Sequence, residues 1–137
     1  MGRDIFVARA SNEAELGAAF AALLRERVGG LVVASDPFFD TRRASIIAFA
    51  AKNRLPAIYQ WREYAIDGGL ISYGPSITDS YRLVGVYAGR ILNGAKPTDL
   101  PVLEPTKFDF VINLRTARAL GLEIPPIISA SADEVIE

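Results

Sequence analysis

The 137 residues include no cysteine and no histidine. Without cysteine there is no disulfide framework, no thiolate nucleophile and no thiolate-ligated zinc or iron–sulfur site. The same absence suits a reducing cytoplasm and a bacterial periplasm alike. Without histidine the commonest general base and metal ligand are gone, and with them the Ser-His and Cys-His triads. An excess of one charge is lacking too. The 15 Lys+Arg against 16 Asp+Glu leave a net charge of −1, so no long-range field recruits nucleic acid or an anionic membrane. No apolar run approaches the roughly 18 residues of a membrane span. The opening residues, Met1, Gly2, Arg3, Asp4 and Ile5, turn charged at once and offer no apolar h-region. The sequence as it stands is therefore expected to carry no signal peptide.

What is present is ordinary globular material: 50% hydrophobic and 23% charged residues, at a length that suits one domain. Residues 5–8 are short, apolar and β-prone and read as a strand. Asn12 with Glu15 forms a capping-box signature. Leu16, Phe20, Leu23 and Leu24 then recur at helical spacing, and Gly29 and Gly30 are expected to stop the helix in the φ > 0 region. Leu31, Val32, Val33 and Ala34 form a continuous apolar run, the pattern of a strand buried on both faces. Asp40 or Thr41 can cap a second helix through Ile46, Ile47, Phe49 and Ala50, ended by Asn53. Residues 57–59 give a third strand and residues 61–66 a short helix. Residues 70–73 give a fourth strand. A helix over residues 78–92, capped by Ser76 or Thr78, would bury Tyr81, Val84, Ala88, Ile91 and Leu92. Phe108, Phe110 and Ile112 alternate as a fifth strand. Residues 114–120 form a short helix stopped at Gly121, and Pro125 and Pro126 open an extended tail. Strands alternating with helices predict βαβ units, a parallel sheet and right-handed crossovers.

In an open parallel sheet, ligands bind beyond the carboxyl ends of the strands. That rule selects Ser35, Asp36 and Phe38 after one strand and Trp61 and Arg62 after the next. Such a set suits a small polar or zwitterionic ligand, with Asp36 on a cation, Arg62 on an anion and the rings on a planar part. Plainer roles are also open. Asp36 before Pro37 is a common helix-entry pair, Trp61 can anchor a helix to the sheet, and Arg62 beside Glu63 can be a surface pair. Phe38 and Phe39 are adjacent, so one is expected to line a cleft or an interface. No phosphate loop, dinucleotide fingerprint, paired catalytic carboxylates or metal set occurs. No catalytic residue, metal or cofactor is expected.

Ordered motifs carry a family resemblance. They are Ser35-Asp36-Pro37-Phe38-Phe39, Leu55-Pro56-Ala57-Ile58-Tyr59-Gln60-Trp61-Arg62-Glu63, and Gly68-Gly69-Leu70-Ile71-Ser72-Tyr73-Gly74-Pro75-Ser76. Then come Tyr87-Ala88-Gly89-Arg90-Ile91-Leu92-Asn93-Gly94-Ala95-Lys96-Pro97, Asp99-Leu100-Pro101-Val102, Pro105-Thr106-Lys107-Phe108 with Val111-Ile112-Asn113-Leu114, and finally Ala132-Asp133-Glu134-Val135-Ile136. Together they resemble the C-terminal part of the ABC-transporter substrate-binding family that includes tryptophan/tyrosine uptake proteins. The resemblance implies an α/β fold. It would be a parallel-sheet, Rossmann-like lobe of a type I periplasmic-binding-protein-like fold, incomplete because the N-terminal lobe and the first strand of this lobe are absent. Residues 1–72 would be the lobe, residues 73–95 the crossing segment and a helix toward the other lobe, and residues 96–137 the return connection, strand, short helix and tail. Asp36 would face the interlobe cleft with Ser35, Phe38, Trp61 and Arg62 nearby, and Tyr73 and Ser76 would lie where the chain crosses.

The implied function is solute binding for an ABC importer, outside the cytoplasm, in the periplasm or at a membrane anchor. The implied partners are a small solute, with an aromatic amino-acid-like one among the candidates, and the membrane permease and ATPase. Two other classes use such lobes: the effector-binding domain of a regulator and a small Rossmann-like enzyme, the latter disfavoured by the missing chemistry. The helix over residues 78–92 and the strand at residues 108–112 would expose apolar faces, which a homodimer could cover.

Overall fold

A computed structural model describes residues 4–137. Met1, Gly2 and Arg3, part of the charged opening noted above, lie outside the described residues. Five strands form one sheet in the order β1-β2-β3-β4-β5. They are β1 (Leu31–Val32), β2 (Ala57–Tyr59), β3 (Ile71–Pro75), β4 (Phe108–Asn113) and β5 (Glu134–Ile136). The pairs β1–β2, β2–β3 and β4–β5 are parallel, whereas β3–β4 is antiparallel. The expected parallel α/β sheet is thus present but mixed. Between β3 and β4 the chain does not make a βαβ crossover. It runs out through α5 (Ile77–Leu92) and a proline-rich connection, and comes back in the opposite direction.

Residues 5–8 are not a strand. Extended pairing needs a neighbour, and among the described residues β1, which shares a groove with them, hydrogen-bonds to β2 alone. The fifth strand instead comes from the tail expected to be plain extended chain. Pro126 opens a helix, α7 (Pro126–Ser131), and β5 follows it. Pro at the first helical position loses no needed N–H and arrives with its φ already set. Nor is β1 covered on both faces. Leu31 is half-buried, but Val32 is 80% exposed.

The helices α1 (Glu13–Arg25), α3 (Arg43–Lys52) and α4 (Arg62–Ile66) cover one face of the sheet. The Asn12 side chain caps α1 by accepting from the Glu15 N–H at 3.0 Å. The Glu15 carboxylate answers by accepting from the Ser11 hydroxyl and N–H and from the Asn12 amide. Those bonds hold the Glu15 carboxyl below its ordinary pKa, the Ser11 hydroxyl contributing most. Gly29 and Gly30 do not end α1. The left-handed residue is Arg27 (φ 52), and the Val28 N–H reaches back to the Leu23 carbonyl. After the Asn53 C-cap of α3, Arg54 (φ 51) turns left-handed in the same way, with the Leu55 N–H on the Ala50 carbonyl. The six-to-one bond of this motif satisfies a carbonyl that would otherwise be orphaned, and it evidently offsets the strain of a non-glycine residue at φ > 0.

The core is a cluster of Leu16, Ile46, Ile47, Ala50, Ala57, Tyr59 and Tyr64. Phe20 of α1 stacks on Phe49 of α3 with centroids 4.0 Å apart, and Tyr59 stacks on Tyr64 at 4.6 Å. Burial pushes the Tyr59 hydroxyl up to about 12, because the phenolate would lose its water. Asp40 and Thr41 do not cap the second helix. They lie inside α2 (Pro37–Thr41), and α3 begins after Arg42 with no side-chain cap.

One expectation about packing is met in part and another reverses. Phe38 and Phe39 both pack against the core cluster, but each is only half-buried, and Phe39 also lines a groove beside α1. The short helix α2 splays their rings at 53°, which gives each its own approach to the core. In α5 the residues expected to be buried are not. Tyr81 is 71% exposed, Leu92 87%, and Val84, Ala88 and Ile91 are exposed as well. No α5 residue is buried, and the connection at residues 97–105 that lies beside the helix leaves an open groove between them.

Candidate functional site

The carboxyl ends of β1, β2 and β3 deliver Ser35 and Asp36, then Gln60 and Trp61, then Gly74 to Ser76, to one end of the sheet. The strands approach closely there. A Cβ at Gly74 would stand 2.7 Å from Gln60 Cγ and closer still to the Gln60 carbonyl oxygen. Only glycine lets β3 pass β2 at this point.

Asp36 is exposed and sits at the N-cap of α2, where its Oδ1 accepts from the Phe38 N–H at 2.8 Å. Its other oxygen has no recorded partner among the described residues. Ser35 beside it is exposed. Trp61 precedes α4, and its indole Nε1 donates to Asp40 Oδ2 at 3.2 Å. The Tyr64 hydroxyl donates to Asp40 Oδ1, also at 3.2 Å. One carboxylate therefore fastens the loop after β2 to α2, the helix after β1. Burial raises the Tyr64 hydroxyl far above its ordinary pKa, and the Asp40 negative charge adds to the effect. The sequence offered Asp40 only as a helix-cap candidate. Its partners lie 21 and 24 positions away, and no spacing rule connects them.

Arg62 is engaged. Its Nε and Nη2 donate to Glu134 Oε2 and Oε1 at 2.6 and 2.9 Å. This two-pronged bond, first among the causes, raises the guanidinium pKa. The side chain thus ties α4 to β5 across 72 positions. Tyr73 is elsewhere. It projects from the sheet face opposite Ser72 and Gly74, stacks on Phe108 at 5.6 Å and meets Phe110 edge-on at 6.0 Å. Ser76 is buried. Its N–H donates to the Lys107 carbonyl at 2.9 Å, and its carbonyl accepts from the Ser80 hydroxyl and N–H. The fold therefore brings Ser35, Asp36, Phe38 and Trp61 to one place. Arg62 is drawn toward β5, and Tyr73 and Ser76 stand at the root of α5. Among the described residues no group of three acidic side chains could hold a metal ion. No helix there is long and apolar enough to cross a membrane.

A family model described as ABC transporter substrate binding protein matches residues 2–136. The chain belongs to that family. No curated protein sequence matches it. Among solved structures, a conserved domain protein from Vibrio cholerae is 24% identical with a TM-score of 0.81, over 89% of this chain and 41% of that one. An ABC domain from Streptococcus pneumoniae, solved in complex with L-Trp, is 24% identical with a TM-score of 0.82, over 90% and 41%. A ligand-free, open substrate-binding protein with adhesive properties from Clostridium difficile is 23% identical with a TM-score of 0.62, over 93% and 42%. At these identities the likeness is one of fold. The chain spans about two fifths of the length of each structure. The substrate-binding family therefore accounts for the mostly parallel sheet and for the motifs read along the sequence.

Proposed function

We propose that this chain supplies one wall of the solute cleft of an ABC importer's substrate-binding protein, working outside the cytoplasm and handing its solute to a membrane permease and ATPase. The supporting observation is the loop pair fastened by Asp40. It holds Ser35 and the free oxygen of Asp36 at the carboxyl end of a sheet, beside the Trp61 ring, where ligands of open α/β sheets bind. The solute in this reading is small and amino-acid-like. Asp36 accepts from its ammonium group, the Ser35 hydroxyl bonds a polar edge, and Trp61 and Phe38 border an aromatic part. The L-Trp of the streptococcal structure is that protein's ligand and supports an aromatic solute here by fold and family. Arg62 meets the solute's carboxylate only by exchanging Glu134 for it. Tyr73 and Ser76 set the crossing toward the second wall. No step of this function makes or breaks a covalent bond, in keeping with a substrate-binding family.

The test is calorimetry on the full-length protein with L-tryptophan and a panel of amino acids. Asp36→Asn keeps an N-cap oxygen for α2 but removes the charge. A hydrogen bond to a charged group is worth about 1.5–3 kcal/mol, so the variant should bind about 10- to 150-fold more weakly. Equal affinity for the variant, in a protein that binds an amino acid, would remove Asp36 from the site.

A further inference from the structure

The two ends of the sheet carry their charge differently. Arg42, Arg43, Arg62 and Arg82 stand on or beside the helices that follow the carboxyl ends of β1, β2 and β3. Each holds a carboxylate: Glu13, Asp67, Glu134 and Asp79. The amino ends of β1 and β2 are unlike this. There the turns out of α1 and α3 lie side by side, because the strands are parallel and the Leu31 N–H donates to the Pro56 carbonyl at 2.8 Å. The two helix ends and their turns expose Arg25, Arg27, Lys52 and Arg54. Among the described residues Arg27, Lys52 and Arg54 reach no carboxylate, and Arg25 has its neighbour Glu26 at 3.8 Å. Arg25 and Lys52 lie in the last turns of their helices, where a cation suits the helix dipole. Arg27 and Arg54 have no such reason. Each follows a helix C-cap with φ 52 or 51, at the place where glycine turns the chain without strain. They are the non-glycine residues with φ > 0 among those described. A side chain is held there at a cost in stability, in two neighbouring turns, and both times it is an unpaired arginine.

We propose that this end of the sheet is a docking surface for an anionic lipid bilayer, met by Arg25, Arg27, Lys52 and Arg54 with the exposed Leu24 among them. The net charge of −1 gives no pull at long range. Physiological salt, however, confines charge effects to about 8 Å, and within that reach four basic side chains stand against Glu26. Asp67, in the next turn at this end, is engaged by Arg43. Each basic side chain at a bilayer with negative headgroups strengthens binding about fivefold. An exposed leucine beside them suits the boundary between headgroups and acyl chains. The compartment is taken from the solute-binding reading, which sets a membrane rather than nucleic acid beside the protein. The surface itself lies at the opposite end of the strands from Ser35, Asp36 and Trp61. Contact with lipid therefore keeps the protein at the membrane without covering the wall on which the solute loads.

The test is co-sedimentation of the 137-residue protein with vesicles, and it uses no solute, so it stands apart from the calorimetry above. The vesicles hold phosphatidylglycerol and phosphatidylcholine in equal parts, with pure phosphatidylcholine as the control. The parent should bind the mixed vesicles alone, and added sodium chloride should release it. Joint replacement Arg27→Gly and Arg54→Gly removes two charges and should weaken binding about 25-fold, at about fivefold for each. Glycine accepts φ > 0 freely, so the urea midpoint of this variant should equal or exceed that of the parent. Arg27→Lys with Arg54→Lys keeps both charges and should keep the binding. Trp61 emission should stay unchanged on the vesicles, since that ring is at the far end of the sheet. No binding to the mixed vesicles, or equal binding to pure phosphatidylcholine, overturns the proposal. So does a glycine variant that binds like the parent or unfolds at lower urea, a lysine variant that fails to bind, or a shift of Trp61 emission. Release by inorganic phosphate beyond that by sodium chloride at equal ionic strength would mark a site for free phosphate and also overturns it.

Discussion

Replacing Asn113 with alanine removes two bonds from a residue that is 4% exposed. Its Oδ1 accepts from the Thr116 N–H at 3.1 Å and caps α6 (Leu114–Leu120). Its Nδ2 donates to the Ala65 carbonyl in α4 at 2.9 Å. Loss of an N-cap typically costs about 1 kcal/mol. Loss of a buried hydrogen bond adds about 1 kcal/mol, and more when the abandoned acceptor is left poorly satisfied. The Ala65 carbonyl keeps poorer partners, the long 3.3 Å bond from the Gly68 N–H and the Asp67 N–H at the end of α4. The sum is about 2–3 kcal/mol, which at a urea slope of about 2 kcal/mol/M lowers the midpoint by about 1–1.5 M. Trp61 is the sole tryptophan and reports unfolding by fluorescence. Asn113→Asp separates the two roles. It keeps the acceptor for Thr116 but sets a carboxylate against the Ala65 carbonyl. Burial and that carbonyl raise the new carboxyl's pKa, and the protonated acid can donate where Asn113 did. Its deficit should therefore be smallest at low pH. It should grow as pH rises from about 4, where the unfolded carboxyl ionises, through the raised folded value. A shift below about 0.5 kcal/mol for Asn113→Ala, set against the roughly 2 kcal/mol expected, would refute the reasoning. So would an Asn113→Asp variant as stable as the parent at pH 7.

Ser72 is fully buried, and its hydroxyl has no hydrogen-bond partner among the described residues. Ser72→Ala should therefore raise stability by about 1 kcal/mol, and a lower urea midpoint would show that the hydroxyl is satisfied after all. Gly74→Ala forces β3 away from Gln60 and should cost about 1–3 kcal/mol, with Trp61 emission shifted in the native state. A variant with the parent's midpoint and spectrum would mean the strands are not in close approach. Tyr59 holds its proton to about 12 and Tyr64 beyond that, whereas in the unfolded chain both titrate near 10. The folded state thus keeps protons that the unfolded state releases, and stability should fall as pH rises from about 10 to about 12. Urea midpoints at pH 9 and 11 check this, with Tyr59→Phe expected to flatten the slope.

Local signals in the sequence carried well. Asn12 and Glu15 cap α1, Asn53 closes α3, and Gly121 (φ 72) ends α6, because each acts within one turn of its own residue. Signals that depend on a neighbour did not carry. The stretch at residues 5–8 has the composition of a strand but no partner to pair with. The apolar positions of α5 have helical spacing but nothing to bury them. The motifs were specific enough to indicate the family that the chain proved to belong to. They gave no hint that Arg62 reaches Glu134 or that Asp40 holds Trp61 and Tyr64. Those pairs join residues tens of positions apart, and only the folded sheet brings them together. Asp36 is the instructive case, since one side chain can serve as helix cap and as a ligand contact. The cap is formed, and one oxygen is left over.

The bare face of α5 bears on motion. A 16-residue helix with no buried residue is held by its own hydrogen bonds, and isolated helices of that length are marginal in water. Gly85 and Gly89, with open space around both, weaken it further, as do the β-branched Ile77, Thr78, Val84, Val86 and Ile91. The Tyr87 hydroxyl tethers it to the connection by donating to the Pro101 carbonyl. Amide exchange along α5 should therefore be far faster than along α3, whose Ile46, Ile47 and Ala50 are locked in the core. Its slowing would time the moment at which any surface comes down on the helix, which makes α5 a built-in clock for assembly.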